Sequence, residues 1–75
     1  MDNTNKLREI RTNEGLKLVE LSHLSGVSEK TLRDIEKGKS IGTQVTRHKI
    51  LRGMNANPSR SKKWSYKEVF GDDIQ

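Results

Sequence analysis

The sequence predicts an all-α fold, a small domain of four to five helices arranged around a helix-turn-helix. Its 75 residues are enough for one domain with a single small core. Hydrophobic residues make up 29% of the chain and charged residues 33%. The hydrophobic ones nevertheless recur at three- and four-residue steps, which is typical of amphipathic helices rather than disorder. The clearest such stretch, residues 16–38, is interrupted at Gly26, where a turn is expected.

The first predicted helix covers about residues 5–14. Leu7 and Ile10, with the aliphatic stem of Arg11, form its apolar stripe, and Gly15 ends it. Residues 2–5 supply capping side chains and negative charge at its start. Its outward charges are interpreted as a solvated face: Lys6, Arg8, Glu9 and Arg11.

The helix-turn-helix begins with a helix over about residues 18–25. Leu16 and Leu21 stand at the positions of a hydrophobic staple, and Glu20 stands where a capping box needs an acid. Gly26 can adopt the left-handed conformation that a tight turn requires. The apolar face shared by the two helices is expected to consist of Leu21, Leu24, Leu32 and Ile35.

The second helix of the motif is predicted over about residues 28–37. Ser28 is its N-cap, Val27 and Leu32 form a staple, and Gly38 ends it. The outer face of this helix consists of Glu29, Lys30, Arg33, Asp34 and Lys37. A polar face of mixed charge suits the major groove of DNA.

A fourth helix is predicted over about residues 44–54, capped by Thr43 and followed by Asn55 in a left-handed conformation. Its expected apolar side chains are Val45, Ile50, Leu51 and Met54. Residues 56–63 carry turn and linker chemistry. The boundaries therefore predict one domain over residues 1–75, with its main part at 5–55.

A short C-terminal helix is expected within residues 64–71. Ser65 and Glu68 form a capping-box pattern, Trp64 and Val69 stand at staple positions, and Gly71 ends the helix. The three aromatic residues of the chain lie here: Trp64, Tyr66 and Phe70. They are interpreted as closing the core; the alternative is that part of this apolar surface pairs two protomers.

Five segments of the chain together resemble the Cro/repressor-type (XRE) helix-turn-helix family. They are Gly15-Leu16, Glu20-Leu21-Ser22, Leu24-Ser25-Gly26-Val27-Ser28, Thr31-Leu32 and Ile35-Glu36-Lys37-Gly38-Lys39. The resemblance covers roughly residues 5–55 and implies a lambda-repressor-like DNA-binding domain. Three positions depart from the family pattern: Lys17 replaces a common Ser or Thr, Leu18 a common Gln, and Arg47 a common apolar residue.

The resemblance also implies which residues contact DNA. The expected DNA-binding residues are Lys17, Ser28, Glu29, Lys30, Thr31, Arg33, Asp34, Lys37 and Lys39. Lys30 and Arg33 can donate to guanine, whereas Glu29 can accept from cytosine or instead hold Arg33 at an i, i+4 spacing. Thr31 can touch a thymine methyl group or be half-buried. Lys17 can replace the family's Gln contact to phosphate by charge, or its site is purely structural.

The charge of the chain points to a polyanionic partner. The formal net charge is +5, and no acidic residue lies between Glu36 and Glu68. Nine cations occupy that stretch: Lys37, Lys39, Arg47, Lys49, Arg52, Arg60, Lys62, Lys63 and Lys67. We interpret the stretch as a phosphate-facing surface; the alternative is a solvated basic surface. The arginines of the first helix have the same two interpretations, as solvated charges or as contacts to DNA phosphates.

Other kinds of site find little support in the sequence. There is no cysteine, and His23 and His48 are isolated, so no metal site, cofactor or catalytic centre is expected. No signal peptide or membrane span is recognisable, which predicts a cytoplasmic protein. A chain of this length leaves no room for an inducer-binding domain, so no small-molecule ligand is expected.

The expected function is therefore sequence-specific binding of double-stranded DNA by a transcriptional regulator, a repressor of phage or mobile-element type. A homodimer on a palindromic operator is expected, because one recognition helix covers few base pairs. The dimer contact would come from the fourth helix or the C-terminal segment. The alternative is an antitoxin of the same fold whose main partner is a toxin protein. An enzyme is not expected.

Overall fold

The computed structural model describes residues 6–71, and within that range every regular element is a helix. The helices are α1 (Leu7–Asn13), α2 (Leu18–Ser25), α3 (Glu29–Glu36), α4 (Gln44–Asn55) and α5 (Tyr66–Phe70). The predicted all-α, lambda-repressor-like fold is confirmed. The caps expected from residues 2–5 lie outside the described residues.

The predicted helix boundaries follow from local chemistry. Gly26 ends α2 with φ 76°, a left-handed conformation that a side chain would strain. Ser28 Oγ then accepts a hydrogen bond from the Thr31 N–H at 3.2 Å, and this N-cap starts α3. At the start of α4, Thr43 Oγ1 accepts from the Thr46 N–H at 3.1 Å. Each bond satisfies a backbone donor that has no partner inside its helix.

The core lies where the five helices meet. Its buried side chains are Leu7, Ile10, Leu16, Leu21, Val27, Leu32, Ile35, Ile50, Met54, Val69 and Phe70. α2 and α4 pack tightly against each other, with Gly53 facing Ser25. A Cβ on Gly53 would lie 2.7 Å from the Ser25 Cβ, so only glycine allows this approach.

Two expected core residues, Leu24 and Val45, are instead exposed, by 37% and 64%. In α2 the buried face continues from Leu21 by a step of four to Ser25, which packs on Gly53, and not by a step of three to Leu24. In α4 the buried residues include Arg47 and Ile50. Val45 is two positions from Arg47, about 200° around the helix, and therefore faces outward.

Asn55 does not adopt the left-handed conformation that the sequence predicted. It is the last residue of α4, and no non-glycine residue within 6–71 has a positive φ. Its amide accepts from the Trp64 N–H at 2.7 Å and donates to the Trp64 carbonyl at 2.9 Å. This pair of bonds holds the segment before α5 against α4.

The C-terminal helix packs on the rest of the molecule. Val69 is fully buried and Phe70 is 2% exposed, while Trp64 and Tyr66 pack against the core from its edge. Ser65 and Glu68 form both bonds of the predicted capping box. Of the two interpretations of the aromatic cluster, closing the core is the one that this geometry favours.

Candidate nucleic-acid interface

The outer face of α3 presents polar side chains to solvent. Leu32 and Ile35 on its inner face are fully buried, and this anchors the helix in the core. Of the predicted contact residues on and beside α3, the exposed ones are Ser28, Glu29, Lys30, Arg33, Lys37 and Lys39. Thr31 and Asp34 are half-buried. The fold therefore brings the predicted α3 residues onto one accessible surface.

The hydroxyl groups at the start of α3 bind one another. Ser28 Oγ donates to Thr31 Oγ1 at 2.9 Å while it accepts from the Thr31 N–H. Thr31 is therefore both half-buried and placed at the leading end of the helix. Ser28 orders that end because its one oxygen serves as cap and donor together.

Lys30 and Asp34 form an ion pair along the outer face of α3. Lys30 Nζ lies 3.0 Å from Asp34 Oδ2, at an i, i+4 spacing. The hydrogen bond from Lys30 is the main reason that the pKa of Asp34 is lowered. The alternative pair considered from the sequence, Glu29 with Arg33, does not form, so both side chains remain available.

At the start of α2, Glu20 caps the helix in the predicted way. Its Oε1 accepts from the Lys17 N–H at 2.8 Å. The Lys17 side chain is exposed, whereas Leu18 is half-buried and packs on the core. Leu18 therefore has a packing role at the position where the family often has a glutamine.

An ion pair links α1 to α3. Arg11 Nε donates to Glu36 Oε2 at 2.6 Å and its Nη2 donates to Oε1 at 3.1 Å. Arg11 Nη1 also donates to the Leu16 carbonyl at 2.9 Å. The interpretation of Arg11 as a solvated charge is thus wrong, because its guanidinium is turned towards Glu36, which is only 8% exposed. Glu36 follows Leu32 by four residues, a helical spacing that could have revealed its inward orientation.

Beside this ion pair lies a cationic depression of about 180 Å³. It is lined by Arg8, Arg11, Leu18, Arg33, Glu36 and Lys37. Because Glu36 is paired with Arg11, the charges of Arg8, Arg33 and Lys37 are left uncompensated by a carboxylate within it. Three cations around a small depression can bind a phosphate group. Sequence spacing did not reveal this cluster, which combines Arg8 of α1 with Arg33 of α3 and Lys37 just after α3.

The basic residues beyond α3 are not equivalent. Lys39 follows α3, is exposed, and its N–H donates to the Asp34 carbonyl at 2.9 Å. Lys62 instead pairs with Glu68 and lies over the Trp64 ring, 5.0 Å from its centroid. Lys63 is exposed. Lys39 is therefore the residue of this group that the fold places next to the recognition helix.

Within residues 6–71 no three His, Cys, Asp or Glu side chains are grouped so that they could hold a metal ion. No helix in that range has the length and apolar character of a membrane span. His23 is exposed, and His48 contacts the Tyr66 ring at 5.0 Å between centroids.

Comparison with known protein families gives a match. A family described as helix-turn-helix matches residues 7–46, just over half of the chain. The matched range runs from the start of α1 to the first turn of α4, and it includes the polar face of α3. No curated protein and no solved structure matches the chain.

Proposed function

The chain belongs to the helix-turn-helix family of XRE/Cro-type DNA-binding domains, and from this premise we propose that it is a sequence-specific repressor of phage or mobile-element type. Membership supports DNA binding and transcription regulation in general. The observation that carries the finer proposal is the rigid presentation of α3. Its polar outer face is exposed while Leu32 and Ile35 lock its inner face into the core.

In the proposed complex α3 enters the major groove with its N-terminal end foremost. Arg33 is the main candidate for reading guanine, because it is exposed and bound to no carboxylate of residues 6–71. Lys30 can take the same role once it leaves Asp34 and binds a base instead. Glu29 is available to accept from a cytosine amino group. These side chains would provide the sequence preference, with Thr31 as a contact to a thymine methyl group.

Phosphates would be bound by cations beside α3. The cationic depression supplies Arg8 and Lys37, and the exposed Lys39 follows the end of the helix. Lys17 at the start of α2 would add a contact by charge. Arg8 is thereby proposed as a phosphate contact in place of the family's glutamine at Leu18. Such contacts fix the orientation of the protein and are largely independent of sequence.

We also propose that residues 1–75 act as one binding unit that pairs with a second copy on a palindromic operator. Of the two regions expected to supply the dimer contact, we favour α4. Val45 at its start and Ile41 just before it are 64% and 58% exposed, whereas Val69 and Phe70 of α5 are buried within the protomer. Sedimentation with and without a short duplex tests this proposal, and one protomer per duplex would contradict it.

Selection of bound sequences from a random DNA pool tests the proposed function directly. A sequence-specific repressor should enrich two inverted half-sites about one helical turn apart. A double variant, Lys30→Ala with Arg33→Ala, should lose that enrichment while still binding DNA. Bound pools with no common sequence in the parent protein would contradict sequence-specific recognition.

An antitoxin is the second candidate, and exposed apolar side chains on α2 favour it. Val19 and Leu24 are 40% and 37% exposed, whereas Leu21 on the same helix is buried in the core. A toxin encoded by a neighbouring gene would then be the main partner. Co-expression with that neighbour and isolation of a stable complex would support this candidate. If no complex forms, the repressor stays the proposed function.

A further inference from the structure

Arg47 is a buried cation without an acidic partner in the part of the chain that the structure describes. It lies in the first turn of α4 and is only 3% exposed. No carboxylate among residues 6–71 is within ion-pair distance of its guanidinium. A buried charge is costly unless its hydrogen bonds are satisfied. The arrangement of its acceptors therefore shows what Arg47 contributes.

The guanidinium joins two parts of the molecule. Nη1 donates to the Gly42 carbonyl at 2.8 Å and to the Ile41 carbonyl at 3.3 Å. Nε donates to the Tyr66 hydroxyl at 2.5 Å. Arg47 thus connects α5, through Tyr66, with the end of the segment between α3 and α4. We call that segment, residues 37–43, the 37–43 loop.

The 37–43 loop is folded closely against the C-terminal end of the recognition helix. The N–H groups of Lys39 and Ser40 both donate to the Asp34 carbonyl, at 2.9 and 3.3 Å. At the other end, a Cβ on Gly42 would lie 2.9 Å from the Ile35 Cδ1. The first contact fixes the beginning of the loop. The bonds from Arg47 fix its end, since they hold the carbonyls of Ile41 and Gly42.

We propose that Arg47 and Tyr66 form a latch through which the C-terminal helix positions the 37–43 loop for phosphate binding. Arg47 is a positioning residue, because at 3% exposure it cannot itself reach DNA. The effect on DNA acts through Lys39, and in this respect the latch rests on the proposed function. The family match ends at residue 46, so both members of the latch lie beyond it.

A guanidinium suits this role better than an apolar side chain. It supplies donors in a fixed planar fork, so one side chain can bind two loop carbonyls and a hydroxyl together. A methionine at this position would fill similar space but would leave the carbonyls and the hydroxyl without a donor. We therefore expect substitutions in the latch to affect loop order and DNA binding more than the melting temperature.

Tyr66→Phe is the sharpest test, because it removes the hydroxyl and keeps the ring that packs beside Phe70. We expect faster amide hydrogen exchange in residues 39–43 of the free protein. We also expect DNA affinity to fall about 3- to 10-fold on specific and nonspecific duplexes alike, the range for one lost hydrogen bond. The matched control is Ser61→Ala, which removes a hydroxyl bound to Glu14, away from the loop. This variant should leave both the amide exchange of the loop and the DNA affinity unchanged.

Arg47→Met and Arg47→Lys make the test graded. The methionine variant should show the full effect on exchange and affinity, and the lysine variant a smaller one, because lysine retains donors but not the fork. Unchanged loop exchange in Tyr66→Phe and Arg47→Met would overturn the latch. So would affinity losses that follow the melting temperature alone. A parent protein that bound no DNA would defeat the proposed function, while exchange in the free protein would still decide whether the latch exists.

Discussion

At the scale of single residues, some charged side chains of the recognition surface already form an ion pair within the protein, and others do not. Lys30 is bound to Asp34 along α3, whereas Arg33 and Glu29 have no ionic partner among the described residues. The Lys30–Asp34 pair is exposed, so it stabilises the fold little. Its main consequence is competition, because Lys30 can reach a base only by leaving Asp34.

Lys30→Ala should raise the pKa of Asp34 towards its ordinary value, because the hydrogen bond from Lys30 is the main cause that lowers it. A lowered carboxyl pKa stabilises the fold above the ordinary titration range of aspartate, and that contribution is lost as the pH falls through the lowered pKa. Parent and variant should therefore converge in stability at low pH. Carbon-detected NMR titration of the Asp34 carboxyl measures the shift, and an identical curve in the variant would show that the pair is absent in solution.

Arg33→Ala and Lys39→Ala should separate base reading from phosphate binding. Arg33→Ala should cost about 1–3 kcal/mol on the preferred site and much less on random DNA, since the loss falls on a base edge. Lys39→Ala should weaken both complexes alike and make the salt dependence shallower by about one unit, because one fewer counterion is released. Salt titrations on both duplexes provide the measurement. Equal losses for Arg33→Ala on the two duplexes would place Arg33 among the phosphate contacts, as its position beside the cationic depression allows.

At the scale of helices, the position of α3 depends on elements that do not touch DNA. α3 packs mainly on α2, and α2 packs closely on α4 through Ser25 and Gly53. The absence of a side chain at Gly53 lets the two backbones approach. The orientation of the recognition helix is thus set partly by a glycine on the next helix, α4.

Gly53→Ala should destabilise the protein in spite of alanine's better helix propensity. A Cβ would lie 2.7 Å from Ser25 Cβ and 2.8 Å from Ser25 Cα, and the latter is backbone that cannot rotate away. Overpacking of this kind costs about 1–3 kcal/mol, against a gain of about 1 kcal/mol from propensity. Thermal melts provide the measurement. Arg52→Ala, at the exposed neighbouring position, is the control and should change stability little.

At the scale of the whole molecule, side-chain bonds between distant parts of the chain hold the helices together. Arg11 and Glu36 join α1 to α3. Ser61 donates from its backbone N–H and its hydroxyl to the Glu14 carboxylate, at 2.7 and 2.6 Å, which anchors the segment before α5 to the end of α1. Since Val69 and Phe70 are core residues, removal of the C-terminal segment should impair folding rather than dimer formation alone.

Arg11→Met alone should destabilise the fold by roughly 3–5 kcal/mol, because it leaves the buried Glu36 carboxylate without a cation. The double variant Arg11→Met with Glu36→Leu should be less damaged than either single one, since it removes both charges together. Urea unfolding of the four proteins of this double-mutant cycle gives the coupling. Additive losses would mean that the two groups do not interact in solution.

Much of the fold could be predicted because its signals are local. The turn at Gly26 and the caps at Ser28, Thr43 and Ser65 depend on residues no more than four positions apart. Their chemistry therefore acts in the same way whatever the rest of the chain does. The polar outer face of α3 follows from the same local spacing, and for that reason the sequence alone identified the candidate recognition surface.

Only the tertiary structure decided which of two equivalent helical steps points inward. From Leu21, steps of three and four residues lead to Leu24 and Ser25, and the close approach of α4 selects Ser25. The same limit hid the partners of the two inward arginines. Arg11 meets Glu36 across 25 positions, and Arg47 meets Tyr66 across 19. Such contacts depend on how helices are placed in space, and periodicity along the chain carries no information about the distance between one helix and the next.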